Sequence, residues 1–179
     1  MHSARGVTLM EFAMTLAMVG ILGSLAIPGF TALRYDAERT STVNELLHAL
    51  FLARSESIKR GAVVSVCKSP DGSTCANSAP DWNVGWMVFV NTDRDEPPQR
   101  DSEEPIVAVH QGWPAGTITS NRVAFSFRPF TQGVVNGTLV FCDPRGPSEA
   151  RAIIVSHTGR PRVAHRDSSN KPLRCPAAW

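Results

Sequence analysis

Residues 5–28 decide the fold. They read Arg-Gly-Val-Thr-Leu-Met-Glu-Phe-Ala-Met-Thr-Leu-Ala-Met-Val-Gly-Ile-Leu-Gly-Ser-Leu-Ala-Ile-Pro, and the only charged residue from position 7 to position 33 is Glu11. An apolar run of more than about 18 residues predicts a membrane-spanning helix, whereas a secretory signal has a shorter apolar core and a small-residue cleavage site. The stretch therefore predicts a retained anchor. Arg5, on its N-terminal side, predicts that the chain begins in the cytoplasm.

Glu11 is the unusual residue of this stretch, because a carboxylate in hydrocarbon costs roughly 2.5–3.5 kcal/mol on insertion scales. One interpretation places it near the N-terminus of the helix, where the helix dipole tolerates an anion. The other gives it a cation from another molecule, since no basic residue after Arg5 lies within helical reach. The residues alone leave both interpretations open.

The rest of the chain predicts one globular unit in an oxidising compartment. A chain of 179 residues that is 42% hydrophobic can bury one core, and its net charge of +2 excludes a general polyelectrolyte. Its four cysteines have no Cys-x-x-Cys spacing, which disfavours a zinc knuckle or a thioredoxin-like site. Four cysteines allow three pairings. We favour Cys67 with Cys75, closing a short loop, and Cys142 with Cys175, pinning the C-terminal segment to the sheet.

The hydrophobic pattern predicts a helix followed by strands. Residues 31–59 carry apolar side chains at helical spacing, and Gly61 ends the helix. The apolar positions are Val43, Leu46, Leu47, Leu50, Phe51 and Ile58. Short β-branched or aromatic runs follow at 62–67, 86–90, 106–110, 122–128, 138–142 and 151–156. We predict an α+β fold in which a long N-terminal helix packs on an antiparallel sheet, with the acidic residues 91–105 as a mobile loop.

No pattern of an enzyme or a metal site is present. Asn91, Asp93 and Asp95 alternate as at the start of a calcium loop, but Glu96 stands where the loop needs glycine and Ser102 where it needs glutamate. The five histidines lack metal-ligand spacing, and no Gly-x-Ser-x-Gly motif occurs. We therefore predict no catalysis, no cofactor and no metal.

Basic residues cluster in the C-terminal third, where residues 145–175 carry seven of them against Glu149 and Asp167. They are Arg145, Arg151, Arg160, Arg162, Arg166, Lys171 and Arg174. Pro161 limits the backbone, so Arg160 and Arg162 are expected on a short, stiff turn, on one face if it is extended. Guanidinium groups suit phosphate oxygens, which predicts a polyanion bound without sequence specificity. The alternative is a solvated loop whose charge aids solubility.

The N-terminal residues resemble the class III signal of type IV prepilins and type II secretion pseudopilins, through Arg5-Gly6 before Val-Thr-Leu-Met-Glu and the apolar run ending in Ile-Pro. The resemblance implies that a prepilin peptidase cleaves after Gly6 and that Val7 becomes an N-methylated terminus. It also implies that Glu11 pairs with the α-amino group of a neighbouring subunit. Residues 1–6 would be a leader, 7–33 the hydrophobic half of the helix, and 34–179 an amphipathic helix with a periplasmic β-sheet domain.

The body of the chain is similar to the GspH/FimT family of minor pilins and pseudopilins. The residues that carry the similarity are Trp82, the run 85–91, Phe141-Cys142 and Gly159-Arg160-Pro161-Arg162. FimT-like members carry a C-terminal Gly-Arg-x-Arg motif implicated in DNA binding, which here falls on Arg160 and Arg162. Charge clustering adds Arg166, Lys171 and Arg174 to the predicted DNA-binding residues.

Two functions follow from this resemblance. The first is a FimT-like minor pilin that binds extracellular duplex DNA for uptake in natural transformation. The second is a GspH-like structural subunit that primes or caps a pilus or a type II secretion pseudopilus without binding DNA. Both imply other pilin or pseudopilin subunits and a prepilin peptidase as partners. Both also imply a single span of the inner membrane, with a cytoplasmic N-terminus and a periplasmic domain.

Overall fold

The computed structural model describes residues 6, 8–78, 81–130 and 136–176, apart from the side chains of residues 25–28. The chain divides into two compact units, Met1–Ala37 and Glu38–Trp179. Helix α1, Leu9–Arg60, contributes residues to both. It ends at the predicted place, because Gly61 follows it in the left-handed conformation (φ 63°) that glycine adopts at little cost.

The first unit consists of the apolar part of helix α1, whose large side chains are exposed. They are Leu9, Met10, Phe12, Met14, Leu16, Met18, Val19, Ile21, Leu22, Phe30 and Leu33. No single helix among the described residues meets the length and hydropathy expected of a membrane span, although Leu9–Ser24 and Gly29–Arg60 do so when taken together. Contiguous exposed apolar surface of this kind marks a contact with lipid or with other protein chains.

The second unit contains two antiparallel four-stranded sheets, which we name sheet A and sheet B. Its strands are β1 Val63–Lys68, β2 Gly85–Asn91, β3 Ile106–Gln111, β4 Thr117–Ser120, β5 Ala124–Phe127, β6 Gly137–Cys142, β7 Arg151–Val155 and β8 Pro161–Ala164. Sheet A has the order β3-β2-β1-β5, and sheet B has the order β4-β6-β7-β8. A 3-10 turn, Trp82–Val84, precedes β2. The predicted α+β fold, a long helix with antiparallel sheet, is confirmed.

Two of these strands were not predicted from the sequence. Strand β4 has four residues, three of them Thr or Ser, and the sequence therefore offers little apolar alternation. Strand β8 begins at a proline, which normally argues against a strand, but β8 lies at the edge of sheet B, where proline is tolerated. Arg162 consequently lies in a strand, whereas the sequence placed it on a turn.

The core lies between helix α1 and the sheets. Leu46 and Leu50 of the helix are fully buried, as are Trp86 of β2 and Ile153 of β7. The predicted apolar face of the helix was wrong in part, because Phe51 and Ile58 are 44% and 49% exposed. At 3.6 residues per turn they lie to the side of the buried stripe.

Helix α1 also buries a charged side chain, because Arg39 is only 2% exposed. The acidic segment 91–105 is likewise held in place, since buried Glu104 accepts hydrogen bonds from the backbone N–H groups of Thr92 and Asp101. Arg100 donates to the Glu104 carbonyl at 3.0 Å. A loop with this many internal hydrogen bonds is more ordered than its composition predicts.

Two disulfides tie the loops to the sheets. Cys67 of β1 is bonded to Cys75, and Cys142 of β6 is bonded to Cys175 near the C-terminus. These are the pairings favoured from the sequence. The second bridge closes a longer loop, with a sequence separation of 33 against 8 for the first. It therefore holds the C-terminal segment against sheet B.

Candidate nucleic-acid interface

The predicted DNA-binding arginines flank the start of strand β8. A turn that we name the Gly159 turn, residues 156–160, connects β7 to β8. In this turn the Gly159 N–H donates to the Ser156 carbonyl at 2.8 Å, and the Ser156 N–H donates to the Arg160 carbonyl at 3.2 Å. This pattern is a three-residue hairpin loop, whose last residue must adopt the left-handed conformation. Gly159 adopts this conformation at φ 73°, which explains why the motif has glycine at this position.

Strand alternation places Arg160 and Arg162 on the same side of the chain. Pro161, between them, is buried, whereas both arginines are exposed. Arg162 lies opposite Ile154 of β7, whereas the neighbouring Ile153 of β7 belongs to the core. The two guanidinium groups therefore project from the side of sheet B that faces away from the core. This is the arrangement that the sequence predicted for an extended backbone.

A second turn of the same kind follows the strand at residues 167–171. The Asn170 N–H donates to the Asp167 carbonyl at 3.1 Å, and the Asp167 N–H donates to the Lys171 carbonyl at 3.0 Å. Asn170 occupies the left-handed position, at φ 61°. Arg166, just before this turn, forms an isolated bridge with Pro172, and its Nη1 donates to the Asn170 carbonyl at 3.1 Å. The returning segment therefore pairs with the part of the chain just after β8.

The C-terminal segment carries the remaining predicted residues. Lys171 and Arg174 are exposed, whereas Leu173 is buried among Cys142, Ala150 and Ala152. The Cys142–Cys175 disulfide fixes the end of the segment to β6. All five predicted residues thus lie at the end of the Gly159 turn, in β8 or in the segment that follows β8.

Little negative charge opposes these basic groups. Among the residues that the structure describes, no ion pair involves Arg160, Arg162, Lys171 or Arg174. Asp167 is engaged in its own turn, because one of its carboxylate oxygens accepts hydrogen bonds from the N–H groups of Ser169 and Lys171, each at 2.8 Å. The exposed guanidinium groups are consequently available to an external anion.

Arg145, by contrast, does not contribute free positive charge. Its guanidinium group lies 2.7 Å from the carboxylate of Asp143. Asp143 precedes residues 145–175, so it was not counted among the acidic residues of that range. The same carboxylate accepts a hydrogen bond at 3.0 Å from Arg39 of helix α1, and Glu149 lies 3.9 Å from Arg39. Burial alone would raise the pKa of Asp143, but the hydrogen bonds and charge of Arg145, with the charge of Arg39, hold that pKa below its usual range.

Sequence reasoning missed this buried ion cluster. Its members come from positions about one hundred residues apart, and Asp143 is only 1% exposed. The sequence offers one signal, because Asp143 directly follows a cysteine at the end of a buried strand. Nothing in the spacing of Arg39 indicates its partner.

At the other end of the chain, Glu11 has a local partner. The Thr8 N–H and hydroxyl donate to the Glu11 carboxylate at 3.1 and 3.2 Å, and the Glu11 N–H donates to the Thr8 hydroxyl at 3.3 Å. This reciprocal pattern is a capping box, which satisfies free N–H groups at the start of a helix. Gly6 is exposed, and Val7 lies outside the described residues. The structure therefore supports the interpretation of Glu11 as a residue of the helix N-terminus.

In the part of the chain that the structure describes, no group of three or more His, Cys, Asp or Glu side chains is arranged to hold an ion. The Glu104 carboxylate is occupied by backbone N–H groups instead. Desolvation raises the pKa of Asp95, and backbone hydrogen bonding from Gln99 opposes that rise.

Comparison with known proteins places the chain in a family. Residues 42–159, more than half of the sequence, match the family described as Type II transport protein GspH. No curated protein matches the sequence significantly.

Two crystal structures of the type IV minor pilin FimU from Pseudomonas aeruginosa PAO1 share the fold, each with a TM-score of 0.54. One is 19% identical and aligns 76% of this chain with 99% of FimU, and the other is 20% identical and aligns 79% with 98%. At this identity the likeness concerns the fold alone. The family match, supported by that fold, shows that the chain belongs to the GspH family of minor pilins and pseudopilins.

Proposed function

We propose that this chain is a minor pilin that binds extracellular duplex DNA through β8 and the segment after it. The observation that carries the proposal is the exposure of Arg160 and Arg162 on one side of an edge strand, without acidic partners among the described residues. A solvated loop that merely aids solubility would not need Gly159, Pro161 and strand pairing to hold two arginines in register. Members of this family are structural proteins, so binding rather than catalysis is the expected activity.

The contacts would run along one line of phosphates. Side chains at alternate strand positions are spaced by about 6.6–6.8 Å, so Arg160 and Arg162 can each reach a separate phosphate group of one DNA strand. Arg166 extends the line, and Lys171 and Arg174 lie on the adjacent returning segment. Backbone contacts of this type give affinity without reading base sequence.

The N-terminal, apolar part of helix α1 is the proposed site of assembly. We propose that prepilin peptidase cleaves after Gly6, that Val7 is then N-methylated, and that the exposed apolar helix anchors the subunit in the inner membrane before it enters a filament. The globular unit would then be periplasmic, and other pilin subunits would contact the apolar helix. The exposure of eleven large apolar side chains between Leu9 and Leu33 supports this role.

The test is direct binding by the full chain in a nonionic detergent to two labelled duplexes of unrelated sequence. We expect similar salt-sensitive binding to both duplexes, weakened on both by Arg160→Ala/Arg162→Ala. The charge-matched control is Lys59→Ala/Arg60→Ala, because both of those residues are already paired with Glu56. Equal loss in the control, or no binding by the wild type, would contradict the proposal.

A second candidate is a structural subunit that primes or caps a filament without binding DNA. The match to the family described as Type II transport protein GspH favours it. In that case, replacing Arg160 and Arg162 should leave assembly of the filament and any secretion unchanged, and the wild type should fail to bind DNA. The binding assay therefore separates the two candidates.

A further inference from the structure

Among the residues that the structure describes, one side chain from another element forms a hydrogen bond with the Gly159 turn. Arg54 of helix α1 donates from its Nη1 to the Thr158 carbonyl at 3.0 Å. The other hydrogen bonds of the turn are local, such as the contact between the Ser156 and Thr158 hydroxyls at 2.8 Å. Arg54 is therefore the side chain that fixes the turn relative to the helix.

We propose that Arg54 is a positioning residue for DNA, which sets the direction of Arg160 by holding the Thr158 carbonyl. This inference rests on the proposed function. The Thr158 carbonyl lies two residues before Arg160, and the Gly159 between them has no side chain to restrict the backbone. Without the hydrogen bond from Arg54, only the local hydrogen bonds of the turn and the pairing of β8 with β7 orient Arg160, so its direction relative to Arg162 is less tightly fixed.

The half-buried position of Arg54 favours positioning over direct contact with DNA. Arg160 and Arg162 are exposed, whereas Arg54 is partly covered. One of its N–H groups is engaged by the turn, and a charge-assisted hydrogen bond to a carbonyl is roughly twice as strong as a neutral one. A planar guanidinium also fixes direction better than an ammonium group does.

A double-mutant cycle between Arg54 and Arg160 distinguishes these roles. The full chain in nonionic detergent is titrated with a labelled duplex over a series of salt concentrations, as wild type, Arg54→Ala, Arg160→Ala and the double variant. If Arg54 acts through Arg160, each single variant should weaken binding by about three- to tenfold, and the double variant should be no weaker than Arg160→Ala alone. The slope of log affinity against log salt should fall by about one unit in all three variants.

Two further variants complete the design. Arg54→Gln keeps an N–H donor for the carbonyl but removes the charge, so we expect it to bind more tightly than Arg54→Ala. Arg60→Ala, on the same helix but paired with Glu56, should bind as the wild type does. Thermal unfolding identifies any variant that fails to fold, and Arg54→Gln then replaces Arg54→Ala in the cycle.

The outcomes separate this inference from the proposed function. If the two single losses of affinity multiply in the double variant, and its slope is about two units below that of the wild type, Arg54 contacts phosphate itself. That result overturns this inference but not the proposed function. If Arg54→Ala binds as tightly as the wild type while Arg160→Ala binds more weakly, the inference about Arg54 is also overturned and the proposed function stands. Absence of binding by the wild type, or binding unaffected by Arg160→Ala and Arg162→Ala, would overturn both.

Discussion

Glu11, near the N-terminus, has one structural role in the helix and one proposed role in assembly. Glu11 closes a capping box with Thr8. In the proposed filament it would also pair with the α-amino group of a neighbouring subunit. A capping box accepts glutamate or glutamine, so the two roles respond differently to substitution. Of these two roles, only the pairing with the amine of a neighbouring subunit requires the negative charge of Glu11.

Glu11→Gln and Glu11→Ala should therefore distinguish the two roles. If Glu11 pairs with the amine of another subunit, both variants should enter filaments poorly while remaining in the membrane fraction. The measurement is the amount of each variant in sheared filaments relative to membranes. Normal incorporation of Glu11→Gln together with poor incorporation of Glu11→Ala would assign Glu11 to capping alone.

The buried Asp143 carboxylate should stabilise the folded state at neutral pH and lose this effect in acid. Its pKa is lowered in the folded state, so its stabilising effect is present above the ordinary value of about 3.9 and is lost as the pH falls through the folded value. Asp143→Asn should cost about 3 kcal/mol at pH 7, because it removes one charge of a buried ion pair with Arg39. Denaturant unfolding at a series of pH values should show the difference from wild type shrinking below about pH 4.

The surface pair of Arg128 and Glu96 is the control for this experiment. Both side chains are about half exposed, so Arg128→Ala should change the free energy of unfolding by less than about 1 kcal/mol. A cost for Asp143→Asn that is as small, or that does not depend on pH, would contradict the stabilising role of the buried cluster.

At the scale of elements, two hairpin turns of the same geometry frame the proposed interface. Gly159 and Asn170 occupy corresponding left-handed positions, where a residue with Cβ costs roughly 1–2 kcal/mol unless it is asparagine or aspartate. Gly159→Ala should therefore lower stability by roughly 1 kcal/mol and weaken DNA binding, whereas Gly159→Asn should cost less backbone strain and weaken both less. Thermal unfolding and duplex binding measure the two effects. Equal behaviour of the two variants would contradict the need for a left-handed residue.

The Cys142–Cys175 disulfide should stabilise the domain more than the Cys67–Cys75 disulfide does. Loop-closure entropy for separations of 33 and 8 residues gives roughly 3.7 and 2.5 kcal/mol. Replacing each pair with serine, and measuring unfolding by denaturant, should reproduce this order. Only the loss of the Cys142–Cys175 bridge should weaken DNA binding, because that bridge holds the segment with Lys171 and Arg174. Equal losses of DNA binding in both variants would argue against this role.

The elements that could be predicted from sequence were those with strong patterns. The long apolar helix, six strands and the two disulfide pairings follow from periodicity and spacing. Strand β8 could not be predicted, because its pairing with β7 overrides the tendency of Pro161 to end a strand. The exposure of Phe51 also escaped prediction, since Leu47 and Phe51 directly follow the buried Leu46 and Leu50 and leave the buried face ambiguous by a fraction of a turn.

For the molecule as a whole, the distribution of charge matters more than the net charge of +2. The acidic segment 91–105 follows β2 of sheet A, and the basic segment includes the edge strand of sheet B. Sequence reasoning identified both segments but could not find the ion cluster of Arg39, Asp143 and Arg145, because folding brings its members together from distant positions. That cluster reduces the basic charge available to an external anion.

The central claim is that Arg160 and Arg162 contact phosphates, and the salt dependence of duplex binding tests it most directly. Each phosphate contact contributes about one unit to the slope of log affinity against log salt. The full chain in nonionic detergent should bind duplex DNA with a slope that Arg160→Ala/Arg162→Ala lowers by about two units, while its thermal unfolding midpoint stays unchanged. A double variant with the wild-type slope, or a wild type that shows no salt-sensitive binding at micromolar concentration, would contradict the account.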